Sequence, residues 1–176
     1  MDHTDVALKS VVRALSDVVA PAIDPDAALA KEQLRLAVEY LNFAITRVDH
    51  LYERAAFELR QHLEMAKAVR QVVAGLPVAA VLDSPVAHGE NLVSVTSPRI
   101  DDLRQASTAL AAGITTVIRE LEPSDKQLRS DLRRTVAVAT KDRIAFERSW
   151  YAPLGIDPNR DEVPELQVLL DSLSQA

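Results

Sequence analysis

The chain is predicted to be all-α: an up-down bundle of four main helices, one of them very long, plus a short C-terminal helix. Three observations carry this. Apolar residues recur three and four positions apart through most of the chain, which is the period of a helix face. Glycine occurs only four times in 176 residues. The abundant Ala, Leu, Val, Arg and Glu lose little on entering a helix, whereas Gly loses most. No stretch shows the two-residue alternation of a half-buried strand, and no segment repeats. The length suits one domain with a real core, so residues 1–176 are read as a single bundle.

The first helix is expected over about 5–20. Leu8, Val11 or Val12, Leu15 and Val18 or Val19 mark its apolar side. Thr4 is the expected N-cap, Asp5 complements the helix dipole, and Pro21 stops the run. The second helix starts with Asp24 as cap, Pro25 in the first position and Asp26 in the first turn. No Gly or Pro then appears until Gly75, so one helix is expected over 26–74. Its seam runs Leu34, Val38, Leu41, Ile45, Val48, Tyr52, Ala55, Leu59, His62, Ala66, Val69 and Val73. Such a helix would be roughly 72 Å long, more than a compact domain of this size can cover, so a break or a protruding end is expected.

Residues 75–97 hold two prolines and two glycines without a clear period and are read as a long loop. The third helix, 98–122, is expected to open with Ser97 as cap and Pro98 first, with Asp101 and Asp102 in the first turn. Its seam is Ile100, Leu103, Ser107, Leu110, Ile114, Val117 and Leu121. The turn "EPSDKQ" leads into the fourth helix, 125–151, where Ser124 and Gln127 have capping-box spacing. Leu128, Leu132, Val136, Ala139, Arg143, Phe146 and Trp150 form its inner stripe. The closing helix, 164–174, turns Leu166, Leu169, Leu170 and Leu173 toward a surface.

Several chemistries are disfavoured. The formal charge of −6 argues against nucleic acid as an obligatory partner, because phosphate neutralisation needs a basic face. The absence of cysteine removes disulfides, thiolate metal sites and thiol nucleophiles. The N-terminus has no basic leader before an apolar run, and no stretch approaches a membrane span. A cytoplasmic location and no membrane partner are expected. No phosphate-cradling glycine loop, nucleophile elbow or dinucleotide fingerprint occurs. No catalytic residue is assigned and no cofactor is expected.

The stretch "RVDHLYERAAFELRQH" carries two histidines among acids. A di-metal bundle needs Glu-x-x-His on two helices, but here Glu53 follows His50 and Leu59 stands three before His62. His50 and His62 would lie roughly 18 Å apart along a helix, too far to share an ion. No metal site is expected. Arg47, His50 and Arg54 are read as a solvated face, as are the cations of the fourth helix.

His62 and Arg143 both fall on apolar seams, where a polar head group needs a partner. With Tyr52 they are candidate ligand-binding residues for a polar pocket between the second, third and fourth helices, lidded by 75–97. A shared polar cluster with Tyr52, Glu58 or Ser107 is a second arrangement open to them, and snorkelling or local pairing of each head group is a third. Leu36, Tyr40, Phe43 and Phe57 place apolar groups off the main seam of the second helix, so a further surface must cover them: the first and closing helices, or a second subunit. They are candidate interface residues for a dimer or a partner protein. The segments "VVRALSDVVAPAID" and "LRLAVEYLNFAITR" resemble small bacterial helical proteins of unassigned function, over the first quarter of the chain, and this carries no function. The leading expectation is an accessory or regulatory protein acting through helix-mediated homo-oligomerisation or partner binding. The alternative is a small-molecule-binding protein or enzyme using the polar pocket.

Overall fold

The structure, a computed structural model, describes residues 3–121 and 126–174, with side-chain surroundings as far as Asp171. All its regular elements are helical, and no strand occurs among the described residues. The capping pattern at Ser124 and the side chain of Leu173 lie outside them.

Helix α1 (Thr4–Ala14) runs through one π-helical turn, Leu15–Val19, into a last turn, α2 (Ala20–Ala22). The helix opens at Thr4 with His3 in the N-cap position, so Thr4 is not the cap. Pro21 sits inside the last turn rather than before its end. A proline supplies no N–H to the preceding turn, and the ladder there takes the wider π spacing. The chain turns extended at Ile23. Asp24 accepts from the Asp26 N–H at 2.8 Å, which makes a turn rather than a cap. Helix α3 (Ala28–Ile45) therefore starts two residues later than the sequence suggests.

The break in the long second helix falls at Thr46 and Arg47. Thr46 Oγ1 donates back to the Phe43 carbonyl at 2.8 Å, and Arg47 leaves helical geometry with φ −122°. A 3₁₀ turn, Val48–His50, leads into α4 (Leu51–Val72). The expected loop 75–97 is instead mostly helical: a 3₁₀ segment, Pro77–Leu82, and α5 (Asp83–Ser94). Pro85 lies in the first turn of α5, where its missing N–H is no loss. Gly89 packs so closely that a Cβ would meet Leu110 and Leu63 at 3.3 Å each. Helix α6 spans Ile100–Glu120, with Arg99 extended before it, so neither Ser97 nor Pro98 plays the expected part. Helix α7 is Lys126–Tyr151, and α8 is Leu166–Ser174.

The chain divides into two compact units: Met1–Leu51 with Arg148–Val163, and Tyr52–Glu147 with Pro164–Ala176. In the first, α1 and α3 form a hairpin. Leu8 and Val12 of α1, Leu15 of the π turn and Leu34, Val38 and Leu41 of α3 are only half-buried. Helix α1 has no fully buried residue, and α3 has one, Phe43. Phe43 stacks on Tyr151 at 5.6 Å between ring centroids.

The second unit holds the main core. Leu59, Ala66 and Val69 of α4 pack with Leu82, Val86 of α5, Leu103, Leu110 and Val117 of α6, and Leu132 of α7. Lys67–Glu90 and Arg70–Asp83 set α5 antiparallel to α4. Gly89 against Leu110 and Leu82 against Gly113 set α6 antiparallel to α5. Arg54–Glu147 and His62–Arg143 set α7 antiparallel to α4. The helix hidden in 75–97 thus leaves α4 and α6 parallel, where a direct link would have made them antiparallel.

Candidate functional site

Two features of the fold stand out chemically: a polar knot in the second unit and a bare apolar face on the hairpin.

The knot joins α4, α6 and α7. Arg143 Nη1 donates to His62 Nε2 at 3.2 Å, and His62 Nδ1 lies 2.6 Å from Ser107 Oγ. A guanidinium only donates, so Nε2 must be the acceptor and the imidazole proton sits on Nδ1, directed at the serine. This is a neutral histidine. Its pKa is lowered by burial first and by the Arg143 charge second, while Glu58 pulls it back upward. Beside it Arg54 donates to Glu58 at 2.8 Å and to Glu147 at 3.1 Å. Arg54, read as part of a solvated face, is thus tied across two helices.

Tyr52 does not join this knot. It is exposed and lines a pocket of about 180 Å³ with Ala56, Arg60, Leu92, Val95 and Pro98. Ten residues of α4, roughly 15 Å of rise, separate it from His62. His62 and Arg143 line neither this pocket, nor the cavity beside Lys67, Arg70 and Glu90, nor the groove beside Leu34 and Val38. Among the described residues no group of three or more His, Asp or Glu side chains is placed to hold a metal ion. No described helix is long and apolar enough to cross a membrane.

The four interface candidates separate by burial. Phe57 is 4% exposed and stacks on Phe146 at 4.2 Å in the second unit. Phe43 is 7% exposed under Tyr151 and Tyr40 in the first. Both are packed inside their own units and present no free surface. Leu36 and Tyr40 remain exposed, Tyr40 at 62%.

Leu36 and Tyr40 belong to a larger surface. At about 100° per residue, the inner seam of the hairpin divides each helix into two sides. On one side lie Asp5, Lys9 and Arg13 of α1 and Lys31, Glu32, Arg35 and Glu39 of α3. Lys9 pairs with Asp5 at 3.0 Å, and Arg35 pairs with Glu32 and Glu39. An open groove of about 400 Å³ runs along this side, floored by Ile23, Leu34 and Val38. On the other side lie Ala7, Val11 and Ala14 of α1, Val18 of the π turn, and Leu29, Ala30, Gln33, Leu36, Ala37 and Tyr40 of α3. All are exposed, and none is charged. Only Asp17, in the π turn, lies at the edge. From the sequence, Val11 and Val18 stood only as options for the inner seam, which Val12 takes instead of Val11, and Ala7 and Ala14 were not singled out. The signal was there: Ala7, Val11, Ala14 and Val18 repeat four, three and four apart, with the charges of α1 on another arc.

No family model, curated protein or solved structure matches the chain.

Proposed function

We propose that this is a non-enzymatic accessory or regulatory protein that works by helix-on-helix association through the α1–α3 hairpin. The observation that carries this reading is that α1 has no buried residue. Most of a helix's stability in a protein comes from packing its apolar face. A helix must bury its apolar stripe against another element to be stable, and a contiguous exposed apolar face marks an interaction site. The chemistry of the knot is consistent with this: His62 is held between Arg143 and Ser107, and Arg54 between Glu58 and Glu147.

Sedimentation velocity across a wide concentration range, read with hydrogen exchange along α1, tests this. Association predicts either a species heavier than the 19.3 kDa chain or an α1 that exchanges quickly while it has no partner. A single-chain species at every concentration, with α1 as slow to exchange as α4 and α6, overturns the reading.

A further inference from the structure

The hairpin's bare face has the character of a surface that meets its own copy. We infer that it is covered by the same face of a second chain, two hairpins stacking about a two-fold axis into an intermolecular four-helix bundle. This rests on the association reading above and names its partner.

Charge is the first argument. The helices of the hairpin balance Lys9, Arg13, Lys31 and Arg35 against Asp5, Asp17, Glu32 and Glu39, whereas the whole chain carries −6. The face itself holds no charged side chain. It offers nothing for electrostatic selection of a differently charged partner, and two copies approach it without like-charge repulsion.

Shape is the second. Large and small residues interleave along both helices: Val11 and Val18 with Ala7 and Ala14, and Leu36 and Tyr40 with Ala30 and Ala37. A two-fold interface is isologous, so each residue type meets the same patch on the other copy. An offset of one helical turn then sets the large side chains of one copy over the alanines of the other. The alanines also let helix axes approach closely.

Size is the third. The face extends roughly 16 Å along each helix and about 20 Å across two helices. That is a footprint of about 300 Å² per copy, and the corrugated accessible surface above it is larger. A pair of copies therefore approaches the ~1,000 Å² total of a specific interface, at the weak and reversible end of the range.

The fourth is continuity. Phe43 continues the Leu29, Leu36 and Tyr40 line, and there Tyr151 already covers it. Intramolecular packing closes the C-terminal end of this side of α3 and leaves the rest open at full length.

Sedimentation of the full chain and of two full-length variants tests this. Val11→Glu and Leu36→Glu place charge at positions already exposed in the single chain, so each unit's helix content, read by circular dichroism, should hold. Dimer formation should weaken at least tenfold in both. Arg13→Glu, on the charged side, should leave it unchanged. The chain has no cysteine, so Ala37→Cys gives a single thiol near the middle of the face. A short bismaleimide should join it to a second copy in high yield, while Arg13→Cys should not cross-link. A dimer that survives both charged variants, with no cross-link at position 37, overturns the inference and leaves association through another surface standing. A chain that stays single at every concentration with a fast-exchanging α1 also overturns it, and then points to a different partner. A single chain with a protected α1 removes the association reading itself.

Discussion

Arg47 Nε donates to the carbonyl of Trp150 at 2.8 Å, across a sequence separation of 103 residues. Its Nη2 reaches the Ser149 carbonyl at 3.2 Å. These carbonyls belong to the last turn of α7, where no intrahelical donors remain. The guanidinium also lies over the Trp150 ring, 5.5 Å from its centroid, and near the Phe43 ring at 5.7 Å. One side chain at the break between α3 and α4 thus caps a distant helix and packs between two aromatic rings. Its positive charge is favoured there by the negative end of the helix dipole. Arg47→Ala should cost the first unit about 1.5–3 kcal/mol, the range for hydrogen bonds to a charged group. Arg47→Lys should recover only part, because an ammonium cannot fork to two carbonyls in one plane. Urea unfolding followed by the fluorescence of Trp150, the single tryptophan, reads both. Equal stability of the Ala variant and the native chain would remove the capping role.

The knot around His62 makes a pH dependence. Burial and Arg143 hold the imidazole pKa below its ordinary 6.5. The unfolded chain therefore binds a proton more readily than the folded one, and stability rises with pH through that interval. The contribution is fully present above about 6.5, falls as the pH drops below it, and is gone once the pH is under the folded-state value. Protonation also removes the acceptor for Arg143 and sets two cations side by side. Glu58, Arg54 and Glu147 flank the site and soften the effect without changing its sign. His62→Gln keeps a donor and an acceptor in place but does not titrate. The melting temperature of the second unit should fall between pH 7 and pH 5 in the native chain and stay flatter in this variant. Parallel curves would show that the histidine is not the titrating group.

The sequence made some of this visible and hid the rest for physical reasons. Helices α6 and α7 were legible because each carries one strong apolar seam in an uninterrupted run. That His62 and Arg143 each need a partner was legible, because each is a lone polar group on such a seam; their direct contact was not, because the spacing along antiparallel helices sets them roughly 9 Å apart in level. Helix α5 was hidden because Pro85 and Gly89 count as breakers in isolation. In the fold one occupies the first turn and the other makes room for Leu59, Leu63 and Leu110. Arg47 was read as solvated because its partners are backbone carbonyls far along the chain, which leave no mark on any side-chain pattern. The bare hairpin face was missed because only the strongest seam of each helix was followed, whereas the arc without charges was the telling feature.

Gly113 tests the 3₁₀–α6 contact that α5 brings with it. A Cβ there would fall 2.8 Å from Leu82 Cδ2, too close for real atoms. Leu82 is fully buried, so its side chain has little freedom to move aside. The overpacking should cost about 1–3 kcal/mol, against a gain of about 1 kcal/mol from the better helix propensity of alanine. Gly113→Ala should therefore be net destabilising, by up to about 2 kcal/mol. At Gly89 the closest contacts are 3.3 Å, to flexible leucine ends. Gly89→Ala should sit near neutral in the same chemical denaturation series. Reversal of that order would mean Leu82 does not pack against α6 as described.

Phe57 separates a core residue from an interface residue. Its ring stacks on Phe146 with centroids 4.2 Å apart and planes 23° apart, and Phe146 is 1% exposed. Removing either ring takes apolar surface from a packed site that cannot collapse fully, so Phe57→Ala and Phe146→Ala should each cost about 3–5 kcal/mol. The double variant should cost less than the sum, because each single change already breaks the same stack. Phe57→Leu keeps most of the volume and should lose about 1.5 kcal/mol or less. These losses should appear as lowered unfolding midpoints of the second unit at any protein concentration. Leu36→Glu should do the opposite, leaving the unfolding of the second unit unchanged and altering only association. If Phe57→Ala instead shifted the monomer–dimer balance with no loss of stability, the stack with Phe146 would not be what holds that ring.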